Sequence, residues 1–359
     1  MKPFLEIAEA GGLLFDGAIG SLLYERGVFL TQCFEAVCLE QPGLVRRIHE
    51  EYLQAGARAL TTNTFAANRV KLGHHGLADQ VQVINAAAVK LAREAAGGRA
   101  YVVGSVGPTG TRLEDLAGPA GRAARDALAE QIDALVAAGV DALVLETFPV
   151  LQELETAIEL ARTRASVPVV ALFTFQPDGL SIQRHSPEQV GRRLIAAGAD
   201  VIGSNCGGGP DLLYRVTTPM VGLGKPVMAQ ANAGLPQVVD GRVIYVANPE
   251  YFGVFARRLL KAGVKVLGGA AAPDPSTSAA WPTPPACWRA ASRRPPGRAS
   301  SRGVAVGQPG IPWPSAATSR PPSPPGSSSP ASRSTRPPAS TSPRRSRRPA
   351  PCATSASPP

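Results

Sequence analysis

The sequence lacks several features that would place it in other classes of protein. No apolar run reaches the ~18–20 residues that a helix needs to span a bilayer, so no transmembrane helix is predicted. Its N-terminus, Met1 to Glu9, carries acids where a secretory signal peptide has an apolar core. Its five cysteines are an odd, scattered set that does not suggest a disulfide framework. These absences predict a cytoplasmic protein without a membrane partner.

Lysine is absent from the last part of the chain, where the composition changes abruptly near Gly269. Residues 270–359 contain twelve arginines and one acid, Asp274, which gives this tail a net charge of +11. Because the whole chain carries +10, residues 1–269 carry about −1, and the basic character belongs to the tail. The tail is rich in Pro, Ser, Ala and Arg and has no hydrophobic periodicity. The sequence therefore predicts a globular domain over residues 1–269 and a disordered tail over 270–359.

Within the globular part, eight short apolar runs alternate with amphipathic segments of helical periodicity. The runs cover residues 13–15, 57–61, 100–104, 142–146, 167–173, 201–204, 226–230 and 264–268. Several of the segments between them end in Ala-Gly, which suits the end of a helix. Runs this apolar are typical of parallel strands covered by helices. Eight such steps over about 260 residues favour a (β/α)8 TIM barrel of the α/β class over an open sheet.

The barrel interpretation predicts where a functional site should lie. Ligands bind at the carboxyl ends of barrel strands, and six of the eight predicted strand ends carry polar or glycine residues. The candidate residues there are Asp16, Gly17, Asn63, Glu146, Asn205 and Cys206. A single Asp or Asn at such a position is commonly a turn residue or a helix cap. Asp16 could cap the following helix, and Glu146 could pair with an arginine.

Cys206 lies in the segment Val201-Ile-Gly-Ser-Asn-Cys-Gly-Gly-Gly-Pro210, which predicts a short buried strand that opens into a glycine turn. Glycine permits backbone angles that other residues avoid and lets a ligand approach the main chain closely. A thiolate held there could bind a metal or attack an electrophile. The alternative is a small buried hydrophobic residue at a strand end.

Six segments, in order along residues 13–269, resemble the homocysteine S-methyltransferase family. They are Asp16-Gly-Ala-Ile-Gly20, Thr62-Asn-Thr-Phe65, Gly104-Ser-Val-Gly-Pro108, Leu145-Glu-Thr-Phe148, Gly203-Ser-Asn-Cys206 and Ala231-Asn-Ala-Gly234. The nearest resemblance is to the homocysteine-binding barrel of bacterial bifunctional homocysteine S-methyltransferase/methylenetetrahydrofolate reductases. It implies transfer of a methyl group from a small-molecule donor to the thiol of homocysteine, giving methionine. The donor stays open, and selenohomocysteine is an alternative acceptor.

The resemblance also implies a zinc ion held by three cysteine thiolates, of which Cys206 is the first. Zinc would deprotonate the homocysteine thiol, whose pKa is otherwise about 8.5, and keep it nucleophilic. Three protein ligands would leave the fourth tetrahedral position for the substrate sulfur. By the same resemblance, Asp16 and Glu146 would hold the substrate ammonium. The full set of implied substrate-binding residues is Asp16, Gly17, Asn63, Glu146 and Asn205.

The family pattern breaks after Gly269. The family continues with Cys-Cys-Gly-Thr, whereas this chain has Ala270-Ala-Ala-Pro273. Bases that encode Ala-Ala-Ala-Pro can also encode Cys-Cys-Gly-Thr when they are read one base earlier. We therefore hypothesise that one base was lost within the Gly268-Gly269 codons. Two zinc ligands and the eighth helix would then be missing, and Cys287 and Cys352 lack the context to replace those ligands. A catalytically impaired barrel is therefore the alternative to an active zinc enzyme.

The arginine-rich tail raises a different class of function, nucleic-acid binding. Its best segment is Arg344-Arg-Ser-Arg-Arg348, which would attract phosphate in a salt-dependent way. The tail has no lysine, no predicted fold, and few aromatic residues to stack on bases. We therefore predict no specific nucleic-acid partner. A mobility-shift assay at two salt concentrations would separate this class from the enzyme.

Overall fold

The computed structural model describes residues 1–232, 236–239, 242–245 and 249–270. Eight parallel strands form one sheet in the order β1-β10-β7-β6-β5-β4-β3-β2. They are β1 Leu13–Leu14, β2 Ala59–Thr61, β3 Tyr101–Val106, β4 Ala142–Phe148, β5 Val169–Phe173, β6 Val201–Asn205, β7 Val227–Ala231 and β10 Val266–Gly269. The two other strands, β8 Pro236–Val239 and β9 Arg242–Tyr245, form an antiparallel hairpin.

The sheet closes on itself, because its edge strands β1 and β2 meet. Phe15 forms a parallel bridge with Ala59. Around it, the Arg58 N–H donates to the Leu14 carbonyl at 2.8 Å and the Asp16 N–H donates to the Ala59 carbonyl at 3.0 Å. This closure confirms the predicted (β/α)8 barrel, and all eight predicted strands are present.

Helices surround the barrel and begin where the sequence provides start signals. They are α1 Phe4–Ala10, α2 Ile19–Glu25, α3 Val37–Glu40, α4 Pro42–Gln54, α5 Arg69–Gly73, α6 Val81–Ala96, α7 Pro119–Ala137, α8 Leu151–Arg164, α9 Pro187–Ala197, α10 Pro210–Thr217 and α11 Pro249–Ala262. Proline occupies the first turn of α4, α7, α9 and α10, where its missing N–H costs nothing. In the described ranges, none of the helices combines the length and apolarity of a membrane crossing.

Two sequence predictions differ from the structure or lie beyond it. The hairpin of β8 and β9 was not predicted, although Asp240-Gly241 between two apolar runs is a strong hairpin signal. The predictions that an eighth helix is missing and that the tail is disordered concern residues after Ala270, outside the described residues.

A small helix closes the amino-terminal end of the barrel. Phe4 on α1 packs edge-on against Phe15 and Tyr101, with ring centroids 6.2 Å and 5.5 Å apart. The Tyr101 hydroxyl donates to the Lys2 carbonyl at 2.6 Å, which ties the N-terminus to β3. These residues join a core inside the barrel that includes Val144 and other buried strand residues. The opposite end is therefore the one open to ligands.

His49 on α4 gives the fold a measurable sensitivity to acid. The side chain is fully buried, and neither ring nitrogen has a hydrogen-bond partner among the described residues. Burial lowers the pKa of His49 from 6.5 to about 4. Between pH 6.5 and 4, His49 is therefore protonated in the unfolded chain but stays neutral in the folded chain. Stability should fall as the pH drops from 6.5 to 4, by about 3 kcal/mol in total.

We expect His49→Leu to remove this part of the pH dependence, because leucine fills the buried site without a titrating group. Urea unfolding at several pH values between 4 and 7 measures the free energy of unfolding for both chains. His75→Leu, at an exposed position, is the control and should keep the parent's slope. Identical slopes for His49→Leu and the parent would contradict the assignment.

Candidate active site at the barrel mouth

The predicted site residues all lie at carboxyl ends of barrel strands. Asp16 and Gly17 follow β1, Asn63 follows β2, Glu146 lies near the end of β4, Asn205 ends β6, and Cys206 follows it. Because all eight strands are parallel, these ends face the same mouth. Direct hydrogen bonds join the side chains at the ends of β4 and β6.

Asn205 links the ends of β4 and β6. Its Nδ2 donates to Glu146 Oε2 at 3.2 Å and to Thr147 Oγ1 at 2.8 Å, while its Oδ1 accepts from the Thr147 N–H at 2.8 Å. The Asn205 side chain is completely buried. Through these bonds, Asn205 positions the side chains of Glu146 and Thr147.

Cys206 is half-buried at the mouth, with its sulfur 3.6 Å from Thr147 Oγ1 and 3.8 Å from Asn205 Nδ2. Both Cys206 and Thr147 have left-handed backbone conformations, with φ of 56° and 61°. Such conformations are costly for residues other than glycine and concentrate at functional sites. Gly207 follows in the same region, and a Cβ there would approach the Phe175 carbonyl oxygen to 2.5 Å. The glycine turn therefore fixes the direction of the cysteine.

Asp16 is held by β2. Its Oδ2 accepts from the Thr61 N–H and its Oδ1 from the Thr61 hydroxyl, both at 2.9 Å. The N-cap of α2 is Ala18 and makes no side-chain capping bond, so Asp16 does not cap that helix. The carboxylate instead lies buried at the strand ends.

The two acids of the mouth, Asp16 and Glu146, both have raised pKa values. Burial raises the pKa of Asp16 well above its usual value, and the charge of Glu146 raises it further. Burial also raises the pKa of Glu146, while the hydrogen bond from the Ser105 hydroxyl, at 2.6 Å, lowers it. In the described part of the chain, neither acid forms an ion pair, so Glu146 does not pair with an arginine there. Two carboxyls in this state, Asp16 buried and Glu146 half-buried, favour a positively charged ligand.

Asn63 binds the loop before α3. Its Nδ2 donates to the Phe34 carbonyl at 2.7 Å and to Cys38 Sγ at 3.5 Å. Burial raises the pKa of Cys38 to about 12 and that of Cys33 to about 11, so both thiols are protonated at neutral pH. These two cysteines are therefore poor replacements for thiolate ligands.

Gln230, near the end of β7, is a mouth residue that the sequence analysis missed. It is 2% exposed, and its Oε1 has no hydrogen-bond partner among the described residues. A Cβ on Gly268 would lie 2.8 Å from Gln230 Nε2, so the carboxamide rests against that glycine. A polar residue at the last position of an otherwise apolar run was the available signal.

A zinc site of three thiolates does not fit the described residues. Cys206 supplies one sulfur, but Ala270 stands where the resemblance implies the second, with its N–H bonded to the Ala231 carbonyl at 2.8 Å. A methyl group cannot bind zinc. No group of three or more His, Cys, Asp and Glu side chains is placed to hold a metal ion within the ranges that the structure describes.

A closed (β/α)8 barrel with an acidic, cysteine-bearing mouth defines a class of enzyme domain that binds its ligand at the strand ends. Residues 13–277 match the family model described as homocysteine S-methyltransferase. The chain belongs to the homocysteine S-methyltransferase family.

Individual relatives agree with this assignment. Methionine synthase of Mycobacterium tuberculosis is 29% identical over 294 residues, which cover 76% of this chain and 24% of that protein. The chain thus spans about a quarter of the length of the methionine synthases it matches. Betaine–homocysteine S-methyltransferase 1 of Danio rerio is 30% identical over 76% of this chain and 73% of its own length.

A solved structure shows the same architecture. The homocysteine methyltransferase MmuM of Escherichia coli, in its metallated form, superposes with a TM-score of 0.62 and 25% identity. The superposition covers 75% of this chain and 94% of that one.

Proposed function

We propose that this barrel is the homocysteine-binding domain of a methyltransferase that moves a methyl group onto the thiol of homocysteine, giving methionine. The observation that carries the proposal is the presence, at one mouth, of half-buried Cys206 and of two acids, buried Asp16 and half-buried Glu146, that form no ion pair among the described residues. The resemblance described above implies a zinc ion at this site. The 359-residue chain has Ala270 and Ala271 in place of two zinc ligands, so we propose that it binds homocysteine but transfers methyl groups poorly.

The acids define the amino-acid end of the proposed site. The substrate ammonium lies between Asp16 and Glu146 and supplies a positive charge that favours their ionised forms. Thr61 holds the first carboxylate, and Asn205 and Ser105 hold the second. Because the ammonium favours ionised carboxylates, affinity should rise with pH as these raised pKa values are passed.

The sulfur end of the substrate points toward Cys206 and Thr147 in this proposal. Selenohomocysteine has the same ammonium and carboxylate groups and carries selenium in place of sulfur, so it is a second candidate acceptor.

The methyl donor is a separate question. The relatives' names include a betaine-dependent and an S-methylmethionine-dependent enzyme. These two donors, with methyltetrahydrofolate and S-adenosylmethionine, form the set that an activity assay should compare.

Asp16→Asn tests the ammonium site. Asparagine can accept from the Thr61 N–H with its oxygen and donate to the Thr61 hydroxyl with its nitrogen, but it carries no charge, so homocysteine affinity should fall about tenfold or more. The free energy of unfolding at pH 7 should rise, because a buried carboxylate is removed. Titration calorimetry and urea unfolding measure the two effects.

The matched control is Asp126→Asn on the exposed face of α7, which should change neither quantity. Homocysteine binding that is unaffected by Asp16→Asn would contradict the proposed role of this acid.

A further inference from the structure

A cavity separate from the residues around Cys206 lies between the first turns of α7 and α8, beside the short helix Leu113–Asp115. Its volume is about 350 Å3, and two arginines, Arg122 and Arg125, line it together with Gln152 and Glu153. α7 begins at the end of the segment that follows the carboxyl end of β3, and α8 begins just after β4, so the cavity is on the mouth side of the barrel. None of its lining residues belongs to the cluster around Cys206.

One wall of the cavity carries unsatisfied acceptors. Glu153 is 1% exposed; its Oε1 accepts from the Thr109 N–H at 2.8 Å and from the Thr109 hydroxyl at 2.6 Å. Its Oε2 and the Oε1 of Gln152 are buried without a hydrogen-bond partner among the described residues. Leaving a buried acceptor without a donor is costly. These two oxygens therefore favour a ligand that donates hydrogen bonds.

Other residues of the lining favour negative charge. Arg122 forms no ion pair in the part of the chain that the structure describes, and Arg125 approaches Glu159 only at 3.9 Å. The N-cap of α7, Gly118, makes no side-chain capping bond, so the N–H groups of Ala120 and Gly121 lack that partner. A helix N-terminus of this kind attracts anions.

The turn beside the cavity is tightly packed against α7. A Cβ on Gly121 would lie 1.7 Å from the Leu116 carbonyl oxygen, so only glycine allows this approach. The packing brings the apolar residues Leu116 and Leu128 into the lining of the same cavity.

We propose that this cavity binds a free apolar α-amino acid, at a site separate from the barrel mouth. The carboxylate pairs with Arg122 and the first turn of α7. The ammonium donates to Glu153 Oε2 and Gln152 Oε1, and the side chain packs on Leu116 and Leu128. A simple anion would satisfy the arginine alone and leave both acceptors without a donor.

Calorimetric titration of the full chain with L-leucine tests the proposal. Glu153→Gln keeps an oxygen for the two Thr109 bonds but replaces the acceptor Oε2 by a donor, so L-leucine should bind at least tenfold more weakly. Arg122→Ala, at an exposed position, should weaken binding about fivefold or more. Asp16→Asn should leave the affinity for L-leucine unchanged, which separates this site from the proposed homocysteine site.

Two further ligands identify the chemistry that is recognised. N-acetyl-L-leucine lacks the ammonium and should bind at least tenfold more weakly than L-leucine. Inorganic phosphate that binds as tightly as L-leucine, with no effect of Glu153→Gln, would overturn the proposal in favour of an anion site. Absence of L-leucine binding at millimolar concentration would also overturn it. Circular dichroism checks that each variant is folded. If Glu153→Gln does not fold, Arg122→Ala, at an exposed position, still tests the proposal.

Discussion

The double substitution Ala270→Cys, Ala271→Cys is expected to give a chain that holds about one zinc ion per barrel, whereas the unchanged chain binds zinc weakly. The strand end is already in place: the Gly269 N–H donates to the Asp16 carbonyl at 3.0 Å, directly before position 270. Zinc affinity rests on several thiolates acting together, so adding two to Cys206 should raise it by about a thousandfold or more. Metal content after dialysis and methionine formation with each donor are the measurements.

Controls separate thiolate binding from a general change at the strand end. Ala270→Ser, Ala271→Ser has similar size without the sulfur ligands and should not bind zinc. Cys206→Ala in the double-cysteine chain should abolish zinc binding. Stoichiometric zinc and turnover in the unchanged chain would show that other residues complete the site.

The frameshift hypothesis has its own test. The coding DNA across codons 265–285 shows whether restoring one base after Gly268 yields Gly-Gly-Cys-Cys. The repaired gene should supply the two cysteines and the helix that follows them together, and its product should exceed the double-cysteine chain in stability.

Gly203→Ala is expected to destabilise the barrel by about 3 kcal/mol or more. Gly203 pairs with Met228 in the neighbouring strand, and a Cβ there would lie 1.9 Å from the Met228 carbonyl oxygen. That oxygen belongs to the backbone of β7, so it can move only by disturbing the sheet. The same strand ends at Asn205, and the contacts of Cys206 should be lost with it.

Gly43→Ala on α4 is the matched control. The nearest atom to a Cβ there is the terminal nitrogen of the flexible Arg47 side chain, at 3.8 Å. Alanine should be neutral or stabilise the helix by up to about 1 kcal/mol. Urea unfolding compares the two variants, and equally small effects would refute the steric explanation of the motif glycine.

The strands were predictable because their signal is local. Parallel strands buried on both faces are continuous apolar runs, and glycines mark the helix ends between them. The hairpin of β8 and β9 was missed because it follows a complete strand, where the barrel rhythm predicts a helix. Once the barrel was recognised, its geometry placed Asp16, Glu146 and Cys206 at one end without further information.

The arrangement within the mouth was not predictable from the sequence. Asn205 bonds to Glu146 and Thr147, which lie 59 and 58 residues away along the chain. The left-handed backbone of Thr147, and the amide oxygen of Gln230 that finds no partner in the described part of the chain, also depend on how neighbouring strands meet. Such contacts are set by tertiary packing, which no local pattern of residues encodes.

Helix α1 covers the floor of the barrel through Phe4, which packs on Phe15 and Tyr101. The packing of α1, which contributes to stability, and the candidate site, which would bind the ligand, therefore lie at opposite ends of the barrel. An engineer can strengthen the floor, or fuse a reporter domain ahead of Met1, and leave the chemistry of the mouth as it was. The molecule offers a scaffold in which these two properties can be tuned one at a time.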